Sequence, residues 1–472
     1  MSVASIADLP VTRGYSGPDQ PDPDLLRACV HCGMCLPSCP TYRMTGQEAS
    51  SPRGRLWMMS AVSDGTLDLL DPAFDEQMYQ CLNCRACEAV CPSGVHYGPL
   101  VEAARAQLEA HRPRPAWQRA AREVLIGWLF GEANRMRGVV AATRAYQRTG
   151  LQGLVRRSGL ARAVGMADLE EMLPPVATRS LVPGRETWRA DAPAHRVMLF
   201  NTCMMGTVFA DVNRAAGRVM ARNGCDVDLP AGQQCCGALH VHAGMLGPAR
   251  DLARRNIDAF EAASPGGQAP IVLTAAGCGA ALKEYGELLK DDPDYAERAG
   301  RFSARVRDIT EWLATTGIVP PRRPYPITVT YQEPCHLAHA QRLTAEPRQV
   351  LAAIPGLRLI EMAESSLCCG SAGIYNIIRR PMANDLGDRK AANAVRTEAE
   401  VVVTANPGCA MQLRTSLGRA GSSQRIMHIV EVLDAAYGGE GATDVPSAPG
   451  TRSLSLSDPG PGSGEGRGLR AR

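Results

Sequence analysis

Two short runs of cysteine constrain this 472-residue chain more than any other feature. The first reads Cys29-Val-His-Cys32-Gly-Met-Cys35-Leu-Pro-Ser-Cys39-Pro40, and the second Cys81-Leu-Asn-Cys84-Arg-Ala-Cys87-Glu-Ala-Val-Cys91-Pro92. Each sets three thiols at intervals of three residues, then a fourth followed by proline. Three thiolates in one tight loop can cap three irons of a cube, and the fourth iron needs a ligand from elsewhere. Where two such runs share a domain, that ligand comes from the other run. The expected sets are therefore Cys29, Cys32, Cys35 and Cys91 for one [4Fe–4S] cluster, and Cys81, Cys84, Cys87 and Cys39 for the second. Zinc sites more often join Cys-x-x-Cys pairs across a longer loop, and that pattern is absent from these two runs. Pro40 and Pro92 turn the chain away after the last ligand and help to exclude water.

The compartment decides how the rest of the 17 cysteines are read. Met1 to Pro18 shows no apolar stretch behind a basic start, so no signal peptide is expected. The longest apolar run, Val124 to Phe130, is far short of the roughly 18 residues of a spanning helix. A cytoplasmic protein, or one peripheral to the inner membrane on its cytoplasmic face, is expected, and there clustered cysteines mean metal or redox chemistry rather than disulfides. The net charge of +3 gives no support to nucleic-acid binding.

Length alone implies two or three domains. Residues 1–24 read as a flexible arm and 25–110 as a helical ferredoxin-type domain for the two clusters. Within the latter, Leu56 to Val62 has helical spacing. Residues 111–194 form a basic, largely helical connector broken by Pro174, Pro175, Pro183 and Pro193. From His195 the pattern becomes βαβ, with buried strands expected at Val197–Phe200, Ile271–Thr274, Ile327–Tyr331 and Val401–Thr404. Helices are expected at Val208–Asn223, Pro248–Ala262 and Met382–Val395. The fold class is α+β overall, with two α/β units of mostly parallel sheet at 195–320 and 321–438. The tail, 439–472, has a disordered composition.

Those two units are an internal repeat. Each has a cysteine after a strand, then a Cys-Cys-Gly triplet, then a strand and a Gly-Cys pair. The sets are Cys203, Cys235, Cys236 and Cys278, and Cys335, Cys368, Cys369 and Cys409. They are candidates for a further cluster, a redox thiol pair or inert buried thiols. Cys225 falls where a strand is expected and reads as core.

Several stretches carry a resemblance: Ala28-Cys29-Val30-His31-Cys32-Gly33, Ser51-Pro52-Arg53-Gly54-Arg55, Thr274-Ala275-Ala276-Gly277-Cys278-Gly279-Ala280, Pro334-Cys335-His336-Leu337-Ala338-His339-Ala340-Gln341 and Leu367-Cys368-Cys369-Gly370-Ser371-Ala372-Gly373. The repeat resembles the CCG cysteine-rich domain of heterodisulfide-reductase-type proteins. The whole order, over roughly residues 25 to 437, is similar to the iron–sulfur subunit of bacterial glycolate oxidase. The resemblance implies oxidation of glycolate to glyoxylate by a complex whose flavin sits on partner subunits, with this chain passing electrons towards a quinone or other acceptor. The iron–sulfur subunits of anaerobic glycerol-3-phosphate or lactate dehydrogenases share the parts, as does a CCG-type disulfide reductase. One departure matters. The reductase-type domain ends in a Cys-x-x-Cys pair, and its first member is replaced here by Ala275 and Asn406, which argues against a five-cysteine cluster.

Other features have an ordinary reading beside a functional one. Arg53 and Arg55 either raise the potential of an anionic cluster or sit in a solvated turn. His336 follows Cys335 and can tune a thiolate, but a lone histidine is more often structural, as are His240 and His242. The connector can lie on an anionic membrane with Trp128 and Phe130 in the interface, although such helices more often pack on protein.

Overall fold

The computed structural model describes residues 14–439, apart from 164, 167–169 and 171–172. The arm expected over 1–24 and the disordered tail therefore lie largely outside the described residues. From residue 14 onward the arm is tied down. The Ser16 backbone N–H donates to Gln107 Oε1 at 3.0 Å, Gln107 Nε2 donates to the Pro18 carbonyl at 2.6 Å, and Asp19 pairs with Arg250.

Proline places the helices of the N-terminal unit. Pro23–Arg27, Pro40–Thr45, Pro52–Ser63 and Pro72–Gln80 each open on a proline, whose missing N–H costs nothing at a first turn. Asp22, Ser51 and Asp71 cap three of them through side-chain oxygens. Cys39 itself stands at the N-cap of the fourth, so Pro40 starts a helix directly after a ligand candidate. The Pro-Arg-Gly-Arg stretch is likewise a helix start rather than a turn. With Tyr97–His111 these helices bury Met59, Val62, Phe74, Met78, Leu100 and Val101.

The connector buries little. Ala116–Arg122 runs on through Glu123–Trp128, followed by Ala133–Arg148 and Leu151–Ser158, and only Ile126, Met136 and Val140 are buried among these. Phe130 turns inward on a small cluster with Met136 and Val208. Trp128 stays exposed, with the Arg135 guanidinium 4.9 Å from its ring centre.

Nine strands form two sheets among the described residues. The first contains β1 (Thr187–Trp188), β2 (His195–Leu199), β3 (Cys225–Asp228), β4 (Ile271–Leu273) and β5 (Val306–Asp308), in the order β1-β3-β2-β4-β5. All pairs are parallel except β1 with β3. The second contains β6 (Thr328–Tyr331), β7 (Arg358–Leu359), β8 (Val401–Thr404) and β9 (Arg425–His428), in the order β7-β6-β8-β9 and wholly parallel. Strand β1 falls inside the span expected to be connector. It is held there because Trp188 lies on Gly217, where a Cβ would come within 2.2 Å of the indole. One apolar core runs through both repeats, from Val197 and Val272 to Val329 and Val401. The repeats are therefore packed as a pair.

Topology places the cysteines. β2 lies between β3 and β4, and β6 between β7 and β8, so the chain moves first to one side and then to the other. Open parallel sheets bind ligands in the crevice beyond the strands' carboxyl ends at such a switch point. Cys203 follows β2, Cys235-Cys236 follow β3, and Cys278 follows β4. Cys335, Cys368-Cys369 and Cys409 follow β6, β7 and β8 in the same way.

Candidate metal centres

Cys29, Cys32, Cys35 and Cys91 face one void, walled by Pro52, Arg53 and Leu56. Cys39, Cys81, Cys84 and Cys87 face a second, walled by Pro52, Arg55 and Tyr97. Cys87 also reaches the first. Each void thus gathers three thiols of one run and the last thiol of the other, and none of them is in a disulfide.

Both loops bend the same way. His31 and Gly33 have φ of 53° and 82°, and Asn83 and Arg85, at the matching places, have 49° and 62°. Left-handed residues on either side of the second cysteine turn backbone N–H groups inward, which suits an anion. Other donors aim at sulfur. The Asn83 N–H is 3.3 Å from Cys81 Sγ, the Val95 N–H 3.5 Å from Cys91 Sγ, and the Tyr97 hydroxyl 3.7 Å from Cys81 Sγ. Thiols sharing a void, with donors pointed at them, fit a cubane cluster.

Arg55 is 1% exposed. Its Nε donates to the Gln77 carbonyl at 2.8 Å and its Nη1 to Thr41 Oγ1 at 3.1 Å. Burial opposes its charge, but Cys81, Tyr97 and Cys39 outweigh that and hold its pKa above the ordinary value. Arg85 keeps its strained backbone because Glu88, at 3.0 Å, and Glu284 of the first repeat hold its guanidinium. Sequence reasoning missed Arg85. Its signal was the alignment of the two runs, where it stands opposite Gly33.

In each repeat the four cysteines touch in chain order. Cys203 and Cys235 lie 3.8 Å apart, and Cys235, Cys236 and Cys278 hydrogen-bond in turn. Cys335, Cys368, Cys369 and Cys409 form the same series. The contact from Cys203 pulls the Cys235 thiol well down, and Cys368 does the same for Cys335 and Cys369. The triplet glycine is obligatory in the second repeat. Gly370 has φ of 87°, and a Cβ there would sit 2.5 Å from the Ala383 carbonyl oxygen.

The departures from the five-cysteine pattern have clear consequences. Ala275 is fully buried and offers no donor atom. Asn406 Nδ2 donates to Cys409 Sγ at 3.5 Å, and its Oδ1 accepts from the Gly277 N–H at 3.2 Å, joining the repeats.

The two tetrads differ in their neighbours. Beside the second lies Lys390, 1% exposed, with Nζ donating to the Glu364 and Ser365 carbonyls at 2.6 and 2.8 Å. Burial lowers its pKa to about 8, against the pull of Cys369 and Cys368. Sequence reasoning passed over it, although it is a rare lysine in an arginine-rich chain. Beside the first tetrad lies His240, fully buried, with burial pressing it towards the neutral form.

The N-terminal unit docks on both repeats. Arg105 Nη1 donates to the His242 carbonyl at 3.0 Å, and the Tyr375 hydroxyl donates to the Gln80 carbonyl at 3.1 Å. Leu82, Cys84 and Ala86 share one buried cluster with Cys368 and Tyr375, and Cys335 packs against it. Burial, and then Cys335, push the Cys84 thiol upward. The second void therefore abuts the second tetrad. His336, expected to be structural, has Nδ1 3.8 Å from Cys335 Sγ, and its ring stacks on His242 with centroids 5.4 Å apart.

Comparison with known proteins bears on these groupings. Residues 25–95 match the 4Fe–4S dicluster domain, 197–283 and 329–414 the CCG cysteine-rich domain, and 117–173 the linker region of the glycolate oxidase iron–sulfur subunit. The probable glycolate oxidase iron–sulfur subunit of Bacillus subtilis is 40% identical over 87% of this chain and 94% of its own length. The glycolate oxidase iron–sulfur subunit of Escherichia coli is 35% identical over the same shares. The chain belongs to the glycolate oxidase iron–sulfur subunit family. A component of the CoM/CoB fumarate reductase of Methanothermobacter marburgensis is a more distant relative, 29% identical over 89% of this chain and 74% of its own. As a member of the family the chain is an iron–sulfur, electron-transfer subunit of an oxidoreductase and works beside other subunits. No helix among the described residues is long and apolar enough to cross a membrane.

Proposed function

We propose that this chain takes electrons from a flavin on a partner subunit, where glycolate becomes glyoxylate, and conducts them through two [4Fe–4S] clusters into the second CCG repeat. Cys29, Cys32, Cys35 and Cys91 would hold one cluster, and Cys39, Cys81, Cys84 and Cys87 the other. A bound cubane accepts and releases one electron at a time. The protein's part is to fix the thiols, to aim N–H and O–H donors at sulfur, and to bury most of the second set, whereas Cys32 of the first stays exposed. Glycolate comes from the names of the bacterial relatives, and the flavin partner from what the family resemblance implies.

The observation that carries the reading is the buried cluster joining Cys84 to Cys335 and Cys368. It gives the second void a protein-filled contact with a further set of thiols, where electron hopping meets no water gap. The first repeat has no such contact with a void-lining cysteine among its buried neighbours.

Iron, acid-labile sulfide and the reduced EPR spectrum of anaerobically purified protein test this. About eight irons per chain, the sum of two cubanes, are expected, and about twelve would add a cluster in a CCG repeat. Fewer than about four, with no EPR signal on reduction, would end the conducting role.

A further inference from the structure

We propose that the cavity where the N-terminal unit meets both repeats binds a quinone, which takes electrons off the chain there; this rests on the conducting role above. The cavity measures about 630 Å³, well within the range of small-molecule sites. Leu100 and Glu102 line it from the N-terminal unit, Cys236 and His242 from the first repeat, and His336 from the second. Both tetrads thus reach it, the first through Cys236 and the second through His336, whose other nitrogen faces Cys335. A diffusible acceptor inside it meets both thiol sets at once.

The lining selects the occupant. Pro99, Leu100, Val241 and Leu246 give apolar walls that suit a flat ring. Within the lining, the stacked His242 and His336 supply a polar face, and His336 Nε2 is buried without a hydrogen-bond partner. A carbonyl oxygen is the group that such a donor lacks. Charge excludes anions. Six carboxylates against three cationic side chains line the cavity, and one of those cations, Arg85, is already held by Glu88 and Glu284. A carboxylate substrate or an anionic disulfide is repelled there, whereas an uncharged ring with carbonyl acceptors is not. The quinone gains two electrons, delivered singly from the reduced centres, and two protons from solvent. It leaves as hydroquinone, and the centres return to their oxidised state.

The test uses the complete complex and a photoreactive azidoquinone. Label is expected in peptides spanning residues 96–103 and 238–246, and excess decylubiquinone should prevent it. Ala103→Trp, which fills the cavity wall, should abolish that label and lower kcat/KM for decylubiquinone about tenfold more than for ferricyanide. Leu246→Phe makes the same prediction more gently should the first variant fail to accumulate. Label elsewhere, or equal losses with both acceptors, overturns the site while the conducting role stands. Failure of the unaltered complex to reduce ferricyanide with glycolate would instead remove the reading beneath it.

Discussion

Arg55 lies between the two cysteine runs as a buried cation, within reach of Cys39 and Cys81. Its guanidinium also closes a set of acceptors on Gln77, Gln80 and Thr41. Two effects can be separated by substitution. Arg55→Met leaves those acceptors unpaired, at roughly 1–3 kcal/mol for each one that stays buried. It also removes the positive charge that favours the reduced, more negative cluster, so the midpoint potential should fall. Arg55→Lys keeps the charge without the planar fork, and should restore the potential better than the stability. A redox titration followed by EPR reads the first quantity and thermal unfolding the second. An unchanged midpoint in Arg55→Met would show that the cation does not act on the cluster.

At the scale of elements the two CCG repeats share a backbone plan but not an environment. Lys390 and Cys84 stand beside the second tetrad, and neutral His240 beside the first. Cys368→Ser should therefore cut glycolate-driven electron delivery in the whole complex at least about tenfold more than Cys235→Ser. Both variants should keep their cluster EPR signals, since neither cysteine lines a cubane void. Equal losses would make the repeats equivalent conductors. Much of this plan is legible in the sequence, and the exceptions follow a pattern. Val401–Thr404 reads as a strand because it is buried on both faces and needs an unbroken apolar run. β1 and β7, of two residues each, carry no period to detect. The crossed grouping of thiols is what two such runs in one domain lead one to expect, and the lining of the two voids agrees with it. Arg85 shows in the sequence only as the residue opposite Gly33, and the Glu284 that holds it is 199 positions away. Lys390 hides for the same reason, since its partners are the carbonyls of an irregular stretch.

The whole molecule holds together across the pair of repeats, and one histidine makes that contact sensitive to acid. His428 ends β9 and caps the helix Ile429–Ala436. Its Nε2–H donates to the Thr274 carbonyl of the first repeat at 2.8 Å, and its Nδ1 accepts from the Val430 N–H at 3.3 Å. Both nitrogens are thus used by the neutral ring, and a proton on Nδ1 would break the cap. Burial lowers the pKa from 6.5 to about 4. Below pH 6.5 the unfolded chain takes up this proton while the folded chain resists it, so this group's contribution to stability falls as pH falls towards 4, against an opposite contribution from Glu431, whose carboxyl burial raises to about 7. Over that window the loss amounts to roughly 3 kcal/mol. His428→Gln keeps a donor for Thr274 but has no ring nitrogen to titrate. It should lower stability by about 1 kcal/mol at pH 7.5, through the weakened cap, and then lose less than the natural protein as the pH drops to 5. Thermal midpoints of the two proteins at pH 7.5 and pH 5 give the comparison. Parallel decline would place the acid sensitivity elsewhere. Convergence at pH 5 would locate it at the one side chain that is at once a strand end, a helix cap and a bridge between the repeats.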